Sequence, residues 1–202
     1  QKHTEQYWKN DKKDGLFTEW YQNGEKKQEG YLGDFNYKQG SWNYWDKKGR
    51  KYLQENYYNN EKHGSLIGWY ENGEKSVEEM YKSGKKNGFV HYWYDNGVKK
   101  QSGYFLNGLK NGKMTYWYGD GKKWLEENYK NGLKNGKFIG YYPNGRKSTE
   151  QVWENNKLDG PFVEWFGNGQ KKKEGVYKTG ENVGEWVFYN KDGLIDKIEK
   201  LD

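Results

Sequence analysis

The 202-residue chain has no cysteine, which excludes disulfides and thiolate metal sites and leaves both oxidising and reducing compartments open. Proline is confined to Pro143 and Pro161. No apolar run approaches the roughly 20 residues that carry a helix across a bilayer. Aliphatic side chains are scarce as well. Hydrophobic residues make up 32% of the chain, against about 45% on a broader definition for an ordinary soluble domain, which argues against a compact globule. Charge is only mildly one-sided, with 35 Lys and Arg against 29 Asp and Glu, and it forms no polycationic tail. What the chain does have is aromatics, at 19% of residues, which argues against disorder. An aromatic-rich, aliphatic-poor chain suits a thin structure whose core is one side chain deep. Its rings bury area while Tyr hydroxyls and indole N–H groups stay near water.

The glycines are periodic. Gly15, Gly40, Gly64, Gly88, Gly112, Gly136, Gly160 and Gly184 are spaced by 25 residues once and by 24 thereafter. A second glycine follows nine residues after each, among them Gly24, Gly73, Gly97, Gly145 and Gly169. Five residues after the opening Gly stands a ring, as in Trp20, Trp45, Trp69, Trp93, Trp117 and Trp165, usually with another behind it. Asn-Gly or Asp-Gly fills seven of the eight second sites. Between β-prone runs this predicts a two-residue type I′ hairpin, which needs positive φ at both central residues. A second turn, such as Asn107-Gly108 or Asn131-Gly132, and a Lys-rich link lead to the next opening Gly. Glycines this frequent disfavour helix, at about 1 kcal/mol each.

The expected fold is all-β: an elongated single-layer antiparallel β-meander of about eight 24-residue hairpin repeats in one domain, 1–202. A partial repeat occupies 1–14, further repeats open at 15, 40, 64, 88, 112, 136 and 160, and an incomplete one fills 184–202. About sixteen strands at ~4.8 Å would make a twisted or curved ribbon roughly 75 Å long. The extra residue in "YLGDFNYKQG" reads as a bulge or a longer turn. Both ends fall inside a repeat without polar caps, which suggests trimming or end-to-end self-association.

The segment "YKNGLKNGKFIGYYPNG", Tyr129 to Gly145, resembles the MORN (membrane occupation and recognition nexus) repeat. It is more closely similar to the bacterial MORN-variant repeat of proteins labelled YwqK-type antitoxins. The shared core is a Gly, an aromatic pair, Asn-Gly, two lysines, a Tyr and spaced glycines, and the likeness covers the whole chain. The resemblance implies a β-hairpin fold with no universal catalytic residues. It also implies scaffold, membrane-proximal or immunity roles.

Constellations that carry chemistry are thin, and the glycines read as turn residues, not as phosphate cradles. His3, His63 and His91 lie in different repeats without ligand spacing, and His91 takes a slot filled elsewhere by Ile67, Ile139 or Val163, which predicts a packed side chain. Glu29, Glu78, Glu126, Glu150 and Glu174 read as a solvated ladder balancing lysines. No catalytic or metal-binding residue and no cofactor is assigned, and no enzyme is expected. Lys75, Lys99 and Lys123 belong to a ladder two residues after each hairpin Gly. A two-residue hairpin would set Lys75 opposite Tyr70, its stem along the ring and its head in water. The candidate partner-binding face joins these lysines to Tyr70, Tyr94 and Tyr118 and to the more variable rings Tyr44, Tyr92 and Tyr116.

The leading expectation is a repeat scaffold for another protein, with antitoxin or immunity action as the version the resemblance implies. The alternative is an adhesin-like surface module for glycan, envelope polymer or anionic membrane. Nucleic acid is disfavoured, because lysines two strands apart stand about 10 Å apart, near one Debye length, with glutamates between them. Asn- and Lys-rich, Pro-poor usage points to a bacterial protein, cytoplasmic or at the surface. A start at Gln1 instead of Met reads as a processed product or a fragment.

Overall fold

The computed structural model describes residues 3–9 and 11–201, so the expected partial repeat at 1–14 and the last residue of the chain lie partly outside the described residues. The fold is all-β, built of consecutive antiparallel hairpins. Strands fall into two compact units, one up to Val98 and one from Lys99. The first holds β1 (Thr4–Lys9), β2 (Lys12–Trp20), β3 (Lys26–Gly33), β4 (Tyr37–Trp45), β5 (Lys51–Tyr58), β6 (Glu61–Trp69), β7 (Lys75–Lys82) and β8 (Lys85–Trp93). The second holds β9 (Lys99–Leu106), β10 (Leu109–Lys110), β11 (Gly112–Trp117), β12 (Lys123–Lys130), β13 (Leu133–Lys134), β14 (Gly136–Tyr141), β15 (Lys147–Glu154), β16 (Lys157–Trp165), β17 (Lys171–Lys178), β18 (Glu181–Tyr189) and β19 (Ile195–Leu201). The count exceeds sixteen because β1 precedes the first full repeat and two strands are interrupted, at Asn111 and Asn135.

The Asn-Gly turns differ from the expected type. At Gly73 the amide donates to the Tyr70 carbonyl at 3.0 Å, and the Tyr70 amide donates to the Glu74 carbonyl at 2.8 Å. Positive φ falls on Gly73 alone, so this is a type I turn closed by a left-handed glycine, a three-residue loop. Type I′ geometry occurs instead at the linking turns, where Asn59-Asn60 has φ 48 and 68 and Asn131-Gly132 has 50 and 84. Asn72 has a different reason to be there. Its Oδ1 accepts from the Glu74 amide at 3.1 Å, and its Nδ2 donates to the Asp95 carbonyl, one repeat on, at 2.6 Å. Asn23, Asn144 and Asn168 make the same inter-repeat bond. An asparagine side chain thereby supplies both a local acceptor and a long-range donor, which Asp cannot do.

The opening glycine is a strand residue, not the turn residue that the sequence suggested. Between the pairs Glu55↔Leu66 and Tyr57↔Lys62 the register advances two residues on β5 and four on β6. Gly64, at φ 97, sits in that excess as a β-bulge. Two residues later comes the core: Trp42, Leu66 and Val90 in the first unit, Met114, Phe162 and Trp186 in the second, all buried. Each contributes about 1.5–3 kcal/mol by leaving water.

Core size is matched to the residue beneath. Trp42 lies over Gly30, Met114 over Gly103 and Trp186 over Gly175, so close that a Cβ on the glycine would fall 2.2, 2.0 and 2.3 Å from the side chain above. Where the lower residue is larger the upper one is smaller, as with Glu55 beneath Leu66 and Glu79 beneath Val90. Trp42, Met114 and Trp186 are 72 residues apart, and so are Gly68 and Gly140, or Ser76 and Ser148. The 24-residue repeats therefore come in sets of three.

Candidate functional site

The buried layer contains acids. Glu79 takes Lys86 Nζ at 2.6 Å and the Tyr81 hydroxyl at 2.6 Å, and the Tyr92 hydroxyl donates to it as well. Glu55 has Lys62 at 2.7 Å with Tyr57 at 2.7 Å, and Glu127 has Lys134 at 3.3 Å with Tyr129 at 3.0 Å. Burial pushes the Glu79 carboxyl up, but the bonds from Lys86, Tyr81 and Tyr92 outweigh it and hold the carboxyl below its ordinary range. Burial and the neighbouring Glu55 push the Tyr57 hydroxyl up to about 12. Compensation runs through the repeats. Gln151 replaces the acid where Leu158 replaces the lysine, facing Trp153. Above Gly30, Lys38 persists and lies 4.3 Å from the centre of the Trp42 ring.

These clusters engage the variable rings of the candidate face. Tyr44, Tyr92 and Tyr116 are half-buried, and their hydroxyls accept from Lys38 at 2.8 Å, Lys86 at 2.9 Å and Lys110 at 3.0 Å. Tyr70 and Tyr118 donate to the carbonyls of Trp93 and Tyr141 in the next repeat, at 2.7 and 2.8 Å. Tyr94 is half-buried and Lys99 exposed. Lys75 pairs in register with Trp69, not Tyr70, because the loop has three residues. Its ammonium sits 5.8 Å from the Trp93 ring and 3.0 Å from Glu78. Lys26, Lys51 and Lys147 reach Trp45, Trp69 and Trp165 of the following repeat in the same way. These four second-strand lysines thus tie one repeat to the next.

The glutamate ladder is not uniformly solvated. Glu126 is buried and takes Lys113 at 2.6 Å, Lys123 at 2.8 Å and the Tyr141 hydroxyl at 2.9 Å. Burial raises its pKa, yet the three bonds together bring it down to about 2. A folded-state value below the unfolded one means stability that is present above the unfolded value and lost as pH falls through the folded one. Glu126 is therefore expected to contribute about 3 kcal/mol at neutral pH, lost progressively between about pH 5 and pH 2. Urea unfolding of Glu126→Gln beside the parent chain checks this: the gap between the two midpoints should close as pH is lowered. His91 is half-buried between Phe89 and Trp93, with ring centres 6.4 and 5.8 Å away, in line with a packed role. Among the described residues no three His, Asp or Glu side chains converge to hold a metal.

Two features escaped the sequence reading. The first is the outward ring on the longer turn that the extra residue of the first repeat makes, a turn the sequence does suggest. Asp34–Asn36 forms a 3-10 turn with Phe35 at φ 59, ψ 19 and Asn36 at φ 66. A bulky left-handed residue is costly, and at the matching turn site other repeats carry Asn59, Ser83, Asn107, Asn131, Asn155 or Thr179. Phe35 is 73% exposed and, with Trp8, Lys13 and Asn36, lines an apolar groove of about 290 Å³. The period break was the visible signal; the outward ring was not.

The second is a matched pair at the positions four and twelve residues after the opening Gly. Glu19 meets Lys27 at 2.8 Å and Glu164 meets Lys172 at 2.6 Å. Gly68 is closed over by the Ser76 hydroxyl and Gly140 by that of Ser148. In the remaining set, Tyr44 backs Tyr52 with ring centres 6.4 Å apart, and Tyr116 backs Trp124 at 6.0 Å. Tyr52 and Trp124 are about half exposed and 72 residues apart. Compared with protein-family models and with curated proteins, the chain matches none.

Proposed function

We propose that this chain is a non-enzymatic repeat scaffold that binds another protein, with Phe35 as an anchor of the contact. The observation that carries the reading is the strained, outward Phe35. A left-handed backbone costs an ordinary residue about 1–2 kcal/mol, and such strain persists at sites where it serves an interaction. An exposed aromatic beside a second ring in an apolar groove matches the anchors that dominate protein interfaces. In the immunity version that the MORN-variant resemblance implies, the partner is a toxin whose working surface the scaffold covers.

The test separates binding from folding. Phe35→Asn installs the residue that other repeats place at this turn, so stability is expected to hold or rise by about 1 kcal/mol. A pulldown from bacterial lysate, read by mass spectrometry, should show one stoichiometric protein held by the parent chain and lost by the variant. Equal capture by both would defeat the reading.

A further inference from the structure

We infer that Tyr52 and Trp124 are stacking platforms for the pyranose rings of a β-linked, gluco-configured polysaccharide, one platform in each compact unit. Single exposed rings are ordinary on protein surfaces. These two differ in two ways. They occupy the same place in successive three-repeat sets, where the other repeats carry Lys or Ser, apart from Asp196 in the last. Each is propped by a second ring, Tyr44 or Tyr116, whose own hydroxyl is held by a lysine, so the shelf is rigid before any ligand arrives. Trp124 has a third ring, Tyr118, at 6.4 Å.

The rims decide the chemistry. Beside Tyr52 lies a groove of about 420 Å³ shared with Tyr21, Lys47, Lys48 and Arg50. Arg50 is clamped between two carboxylates, Asp46 at 2.7 Å and Glu71 at 3.1 Å. Two residues before Trp124, Lys122 meets Asp120 at 2.9 Å and the Pro143 carbonyl at 3.0 Å. Vicinal sugar hydroxyls each donate and accept, and a carboxylate next to a fixed cation answers both needs. A gluco-configured pyranose with all-equatorial substituents presents a flat C–H face that fits an aromatic shelf. Single-stranded nucleic acid would also stack, but Arg50 and Lys122 are already engaged by Asp46, Glu71 and Asp120, which leaves Lys47 and Lys48 beside Tyr52 as the cations a phosphate would meet. Among the described residues no carboxylate lines the apolar groove at Phe35, so the two surfaces select different partners.

The experiment uses the full chain with cellohexaose and N-acetylchitohexaose as probes, titrated by calorimetry, and a twelve-nucleotide oligothymidine as the competing class. At least one hexasaccharide should bind. Tyr52→Ala or Trp124→Ala should weaken it about tenfold or halve the number of sites, and the double variant should abolish binding. Tyr52→Phe and Trp124→Phe should retain it, with circular dichroism confirming that every variant folds. Phe35→Asn should leave sugar binding unchanged, so loss of one activity can be told from loss of the other. The inference is overturned if neither sugar binds, if the double variant still binds, or if oligothymidine alone shows the dependence on the two rings.

Discussion

Glu79→Ala should lower the unfolding free energy by about 3 kcal/mol, because it removes one partner of a buried pair and strands three donors at once. Lys86 would lose its 2.6 Å contact, and the Tyr81 and Tyr92 hydroxyls would lose their acceptor. The chain itself contains the remedy. Three repeats further on, at Gln151 and Leu158, acid and lysine are both replaced by uncharged residues of similar size. Glu79→Gln combined with Lys86→Leu is therefore expected to recover most of the loss, since replacing a buried pair with packed neutral groups is often near neutral. Urea midpoints of the two single variants and the double variant form the cycle. If Lys86→Leu adds its own loss to that of Glu79→Gln, the acid and the lysine are not coupled and the compensation seen between repeats is accidental.

The contrast with Glu126 shows that such acids differ in their surroundings as well as their burial. Glu126 draws on two lysines and a tyrosine of the opposite face, whereas Glu79 sits among the core positions beneath Val90. Both are acids of the same strand half, one residue apart in the repeat frame. Only the register distinguishes them.

That distinction marks the limit of what the amino-acid order discloses. The period of glycines and rings determined the hairpins, because a two-strand unit of 24 residues with Asn-Gly between β-prone runs has few other ways to pair. It misplaced the type I′ turn, since Asn-Gly serves a type I turn with a left-handed glycine as readily, and the second role of the asparagine, its bond to the next repeat, is invisible in a single hairpin. The opening glycine reads as a turn residue because a bulge and a turn make the same demand for positive φ. Tyr44, Tyr92 and Tyr116 stand out in the sequence for their variability, and variability is what a compensating interior also produces. Tyr52 and Trp124 do not stand out in the sequence, because one ring among lysines and serines looks incidental until its 72-residue partner and its propping Tyr are seen together. The three-repeat set was legible in principle: Gly30, Gly103 and Gly175 stand 73 and 72 residues apart.

Those glycines support the second large effect. Gly175→Ala should cost about 3 kcal/mol, at the upper end for overpacking, because the new methyl would fall 2.3–2.7 Å from three ring carbons of buried Trp186, and a rigid indole cannot step aside. Backbone strain is not the reason, since Gly175 is not among the positive-φ residues. Gly103→Ala, by contrast, should cost about 1 kcal/mol or less: the atoms it meets are the Sδ and Cε of Met114, the far end of a flexible side chain. Trp186→Leu alone opens a cavity and should cost about 3 kcal/mol. Joined to Gly175→Ala it should cost less than the two singles together by about 2 kcal/mol, because the smaller side chain makes room for the methyl and the methyl fills part of the space. Urea unfolding of these four variants measures the coupling. Equal tolerance of Gly175→Ala and Gly103→Ala would show that the repeats are not packed by reciprocal size, and that the regular exchange of Gly under Trp for Glu under Val has some other cause.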